Sequence, residues 1–461
     1  MSIHPTQTVD RVLVIGLDCA QPDLLFHRWA DHLPYLTACA AAGTHGPLRS
    51  CHPPITVPAW RIMASGLHAG HQGVYGFRNR TPGAPYDTIT LAHADAFQAP
   101  PVWDDLGANG LRSTLLGLPG TWPPQPLQGK MVTGPLTPNH EAAFTWPPSL
   151  RHRVLDLTPH YTFDIPNFRH LDPYELIDQV TAMTRDRFTV ARALAAEDDW
   201  NLFWMVEIGL DRLYHALWHH IDTHHPRHQP NPTLSQALLD YHILLDREIE
   251  ALVTLCDDGD TTTLIVSDHG ARAMQGGLCL NVWLQRHGFQ TLKPDVPDSC
   301  RFDARHIDWS RTQAWAWGGY CGRIFLNLQG REPEGIVPAQ RRDALLTELT
   351  ERLACIPGPD GRMLTNAVHR PEELYPDTCR GLPPDLTVYI DHLNWRAIDA
   401  ITPDQLYTTD NDTGPDAANH DWDGVCIAFG PGIAPQGYTS GLRLEEVACW
   451  IRQLLMDSTG G

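Results

Sequence analysis

Short apolar runs alternate with longer amphipathic stretches along most of this chain. Val12–Leu17 is a continuous, β-branched run, the mark of a buried strand. Leu33–Ala42 follows with helical character and is stopped by Gly43. Ala59–Gly66 reads as a short helix with Pro58 in its first turn, where a missing N–H costs nothing. Trp103–Asn109 and Ser113–Leu118 repeat helix then strand. Residues 119–170 are rich in proline and aromatic residues, which predicts a long excursion over the surface. Tyr174–Glu197 is one long helix, followed by the strand Asn201–Val206. Asp211 to His220 is helical, and His220–Pro232 reads as a loop. Leu234–Leu255 is a further helix and Thr261–Val266 a central strand. Residues 291–370 break the alternation and predict an insertion. Asp385–Ile390 and Gly424–Phe429 return as strands, and Arg443–Met456 closes with a helix. The pattern predicts an α/β protein with a mostly parallel sheet.

Composition narrows the class. The 461 residues can bury a large core. Met1–Asp10 is polar with no basic start, and the run after it is too short for a signal-peptide core or a membrane span. The eleven cysteines form no CxxC pair and read as reduced thiols. Together these predict a cytoplasmic protein with no membrane partner. A formal charge of −20 argues against a nucleic-acid polymer as partner. A small anionic substrate remains compatible, because bound metals would supply local positive charge. Nothing in the pattern reports on oligomeric state.

The candidate chemistry sits where strands run out. Asp18 ends the first apolar run, and Asp268 and His269 follow the run Thr263–Ser267. In open parallel sheets, ligands gather at the carboxyl ends of strands. Asp211 and His215 are four apart, so a helix puts both on one face. Thr56 precedes a helix start, where free N–H groups favour a phosphate. His420 precedes the last apolar run. Three carboxylates, three imidazoles and one hydroxyl are the inventory for two divalent metals and a metal-activated nucleophile. Ligation by Asp and His without Cys suits zinc or manganese. His219, His220, His224, His225 and His228 invite a metal reading too, but are read as a solvated lid loop.

In combination these segments resemble the alkaline phosphatase superfamily, and within it the type I phosphodiesterase and nucleotide pyrophosphatase branch. The resemblance runs through Gly16-Leu17-Asp18, Pro53–Trp60, Gly209–His215, Ser267–Gly270 and Asn419-His420. It continues in Gly73–Arg80, Gly322–Asn327 and Asn411–Pro415. Cys19 departs from the pattern, since relatives often carry Gly there, but Asp18 is intact. A sulfatase reading fails because Ile55 stands where a C/S-x-P-x-R motif needs Arg.

The resemblance implies an alkaline-phosphatase-like fold: a mostly parallel central sheet with helices on both faces and a smaller inserted α+β cap. The core would span 10–290 and 371–461, and the cap 291–370. It implies that Asp18, Thr56, Asp268 and His269 hold one divalent metal, and Asp211, His215 and His420 the other. Thr56 would be the nucleophile, forming a phospho-threonine that water then hydrolyses. Phosphodiesterase relatives place a phosphate-contacting Asn where Asn79 stands, with Arg78 and Arg80 as alternatives. Trp317, Tyr320 and Arg323, in the insertion, are candidates for stacking on or binding the substrate. The implied substrate is a small phosphorylated molecule, nucleotide-like, cleaved at a phosphodiester or pyrophosphate bond. The neutral Asn79, and the absence of a basic cluster near any motif, point to a diester monoanion rather than a monoester. A phosphomonoesterase or phosphomutase shares the same ligands, and a non-catalytic protein of this fold is the remaining alternative.

Overall fold

The computed structural model describes residues 3–197, 199–409, 411 and 414–456. Asp412 and Thr413, part of one motif above, lie outside the described residues.

The main sheet runs in the order Gly437–Tyr438, Thr44–Arg49, Asp423–Phe429, Thr261–Val266, Arg11–Leu17, Leu202–Glu207, Ser113–Leu116, Gly129–Val132, Thr145–Trp146. From Thr261–Val266 to Gly129–Val132 the strands are parallel, and antiparallel strands flank this block. Alternate side chains of each strand leave by opposite faces, and both faces are dry. Leu13, Ile15, Phe203, Met205 and Ile265 pack against the helices Pro34–Ala42, Pro173–Ala195, Gly209–Ile221 and Pro232–Cys256. Val12, Val14, Leu202, Trp204 and Val266 meet the helices Thr56–Ser65, Val102–Ala108 and Val447–Leu455. This is the expected α/β architecture. No helix among the described residues is long and apolar enough to cross a membrane.

Several sequence expectations need correction. The stretch 119–170 is not a surface excursion. It adds Gly129–Val132 and Thr145–Trp146 to the sheet edge and buries Phe144, Tyr161, Phe163, Ile165 and Phe168 in the core. Its strands are too short to show a period among the prolines. The helix expected from Ala59 begins at Thr56 itself, three residues earlier.

Leu386–Tyr389 does not return to the main sheet. It pairs with Gly322–Leu326 in a separate antiparallel sheet, ordered Ala314–Trp317, Gly322–Leu326, Leu386–Tyr389, Ala367–His369. Leu345, Leu346, Leu349 and Leu353 of the helix Arg342–Ala354 pack on that sheet together with Leu280, Trp283 and Ala397. The smaller unit therefore draws on residues on both sides of 291–370.

Candidate metal centre and substrate pocket

Three neighbouring parallel strands deliver the acidic groups. Asp18 follows Arg11–Leu17, Asp268 and His269 follow Thr261–Val266, and the helix carrying Asp211 and His215 follows Leu202–Glu207. Thr56 opens the helix Thr56–Ser65. His420 comes from a two-stranded ladder in which Ala271 lies opposite it, so its ring stacks on His269 at 3.6 Å. All seven side chains are buried.

Their ligand atoms converge. Atoms of Asp18, Asp268 and His269 lie within 4.8 Å of one another, as do those of Asp211, His269 and His420. Thr56 Oγ1 is 3.3 Å from His269 Nε2. His215 Nε2 is 3.3 Å from Asp211 Oδ1 and 3.3 Å from His420 Nε2.

Each carboxylate has one oxygen tied to protein and one without a hydrogen-bond partner. Trp60 Nε1 donates to Asp18 Oδ2 at 2.8 Å, the Cys19 N–H to Asp268 Oδ1 at 3.2 Å, and Arg212 to Asp211 Oδ2. Asp18 Oδ1, Asp268 Oδ2 and Asp211 Oδ1 are left buried and unpartnered. The imidazoles follow the same rule. Nδ1 of His215 donates to Asp416 Oδ1 at 2.8 Å, Nδ1 of His420 to Pro54 O at 2.8 Å, and Nδ1 of His269 to Gly270 O at 3.1 Å. Every Nε2 then faces the centre and can offer its lone pair to a cation once its ring is neutral. An unpartnered buried carboxylate oxygen is costly unless a cation answers it. The donor set therefore fits divalent metals.

The electrostatics agree. Burial, then repulsion from Asp268 and Asp211, pushes the Asp18 carboxyl well above its usual range. Burial also raises Asp268. Burial would lower His269, but Asp268 and Asp18 outweigh it and raise the imidazole to about 9. Burial, and then His269, hold His420 well below its ordinary value.

Local sequence explains the seating. Gly16 lacks a side chain because a Cβ there would come 2.5 Å from the Trp60 ring. Cys19 sits at φ 68, a left-handed conformation that glycine adopts without strain, which gives a physical reason for the Gly of relatives.

Beside the centre lies a cavity of about 240 Å³ lined by Ile55, Phe77, Phe168, Tyr320 and six arginines, Arg78, Arg169, Arg212, Arg301, Arg323 and Arg396. The expectation of no basic cluster is overturned. These arginines are far apart in sequence, so composition could not show them. Tyr320 stacks on His420 at 3.5 Å, and its hydroxyl is 3.4 Å from His215 Nε2.

Three expected substrate contacts lie elsewhere. Asn79 closes a turn, its Oδ1 accepting from Tyr75 N at 2.7 Å and its Nδ2 donating to Gly76 O at 2.8 Å. Arg80 is buried in a two-pronged pair with Glu332, at 2.9 and 2.6 Å. Trp317 packs beneath Arg323, 5.4 Å from its guanidinium carbon, and does not line the cavity. The His-rich segment is only partly solvated: His224 is exposed, but His225 is buried and donates to Ala417 O at 2.8 Å.

Asp416 was not singled out from sequence. It accepts from His215, Arg169, Arg396 and Asn411, and is held far below the usual carboxylate range: burial opposes this, but His215 and the arginines outweigh it. Its one local signal was an acid four residues before His420.

A family model described as type I phosphodiesterase / nucleotide pyrophosphatase matches residues 12–416. Human ectonucleotide pyrophosphatase / phosphodiesterase 5 shares the fold at a TM-score of 0.55 and 13% identity, covering 98% of this chain and 97% of that one. The murine protein of the same name, solved as an inactive threonine-to-alanine variant in complex with AMP, gives a TM-score of 0.53 at 13% identity, covering 96% and 94%. No curated protein matches the chain.

Proposed function

The chain belongs to the type I phosphodiesterase / nucleotide pyrophosphatase family, and we propose that it is a two-metal hydrolase. It cleaves a phosphodiester or pyrophosphate bond of a small, nucleotide-like molecule through a covalent intermediate on Thr56. One observation carries this reading: three buried carboxylates each turn an unpartnered oxygen to the centre that holds Thr56 and three imidazole Nε2 atoms. Asp18, Thr56, Asp268 and His269 would hold one cation, and Asp211, His215 and His420 the other. Two such cations, zinc or manganese by this N/O donor set, would supply charge stabilisation to the attacking and leaving oxygens.

The chain's own groups do the rest. Thr56 Oγ1 bonds to phosphorus as the leaving oxygen departs on the opposite side. Water then breaks the Thr56–phosphorus bond and restores the hydroxyl. The start of the helix Thr56–Ser65 presents free N–H groups to the phosphoryl oxygens. The AMP bound to the murine neighbour supports a nucleotide among the substrates. No disulfide joins the cysteines among the described residues, which supports a cytoplasmic setting.

The test is a pair of aryl phosphates with one leaving group, a diester and a monoester. A higher kcat/KM is expected for the diester. The arginine-lined cavity is the observation that favours a monoester dianion, and a higher value for the monoester would establish that second reading.

A further inference from the structure

Six arginines and one carboxylate, Asp399, line the cavity, and Asp399 lies 3.6 Å from Arg301. Arg212 is committed to Asp164 and Asp211, while Arg169 and Arg396 share the single carboxylate of Asp416. Arg323 is different. It is buried, and its guanidinium donates to two carbonyl oxygens, of Arg78 at 2.6 Å and of Gly318 at 3.4 Å. Asp399 of the same lining pulls on it electrostatically but is itself beside Arg301, so a guanidinium held out of water here still gains from a further anion. Burial draws its pKa down from the usual value.

The surroundings keep Arg323 in place. The Trp317 ring lies beneath it. Gly76 leaves it room, since a Cβ there would lie 3.0 Å from Arg323 Nη1. The exposed side chain of Arg78 lines the same cavity. Tyr320, three residues before Arg323, touches His420 and His215. One wall therefore runs from the reacting centre to Arg323.

We propose that the substrate carries a second anionic group, a phosphate or a carboxylate, on its organic part, and that Arg323 with Arg78 binds it. The proposal rests on the hydrolase reading above, because it takes the scissile phosphorus to sit at Thr56.

Calorimetry on the metal-loaded protein tests it with three probes that differ in one end group: propylphosphonate, 3-phosphonopropionate and propane-1,3-diphosphonate. At least one doubly anionic probe is expected to bind about tenfold tighter than propylphosphonate, and the tighter one identifies the group. Arg323→Met should bring both to the level of propylphosphonate, and Arg323→Lys should keep part of the preference. Equal affinity for all three probes in the wild-type protein overturns the proposal, as does a preference that survives Arg323→Met. Binding preference without turnover of any aryl diester removes the hydrolase reading alone. Turnover of diesters with equal probe affinities removes this inference alone.

Discussion

His215 Nδ1 donates a hydrogen bond to Asp416 Oδ1 at 2.8 Å, and that bond aims its Nε2 at Asp211. The same carboxylate holds Arg169 and Arg396 beside the cavity. One acid thus orients an imidazole proposed to hold a metal and anchors two cations of the pocket wall. Asp416→Asn is expected to weaken metal binding by about 10–100-fold, the usual cost of losing such an orienting partner. Competition against a chelator of known affinity measures it, and an unchanged midpoint would remove the role.

Thr56→Ala should lose several orders of magnitude in turnover, as expected when a covalent nucleophile is removed, while keeping fold and most metal. Thr56→Ser should keep measurable activity because a hydroxyl remains. Near-full turnover by Thr56→Ala would refute the covalent route.

Gently purified protein is expected to hold about two zinc or manganese ions per chain by elemental analysis, matching the two ligand sets. Stripping them with EDTA should abolish turnover and lower Tm, because the unpartnered oxygens of Asp18, Asp211 and Asp268 are then left facing one another. Protein with neither metal, and no activation by either, would sink the two-metal reading.

Arg80 belongs to the scaffold. Arg80→Met leaves the buried Glu332 with Arg331 alone, 2.8 Å from its Oε1, and should cost up to about 3 kcal/mol in stability. Urea titration reads that loss, and KM for an aryl diester should not move. A raised KM with intact stability would return Arg80 to the substrate site.

Acid should destabilise the metal-free protein through His242. Burial lowers this imidazole to about 4, with Nδ1 donating to Leu238 O and Nε2 accepting from Tyr214. Its folded pKa lies below the unfolded value of about 6.5. Between those values the unfolded chain binds a proton that the native one excludes, so stability falls as pH drops from about 6.5 to 4, by up to about 3 kcal/mol. Urea midpoints across that window should show a shallower slope in His242→Asn, and an equal slope would clear His242.

The sequence alone determined the parallel α/β order and the seven converging side chains. Each seven-group member stands beside a local signal: an apolar run that ends at Asp18 or before Asp268, or a helical spacing that pairs Asp211 with His215. Strand and helix periods are local, and parallel strands deliver their ends to one edge, so local signals sufficed. The roles of Asn79, Arg80, Trp317 and Arg323 depend instead on what each side chain meets after folding. Asn79 closes its own turn, Arg80 finds Glu332, and Trp317 lies under Arg323. The basic cavity gathers Arg78, Arg169 and Arg396 from segments that are distant in the sequence. Charge in a sequence is a sum, but charge at a site is a distribution in space. Only tertiary packing could place a cationic pocket in a chain of net charge −20.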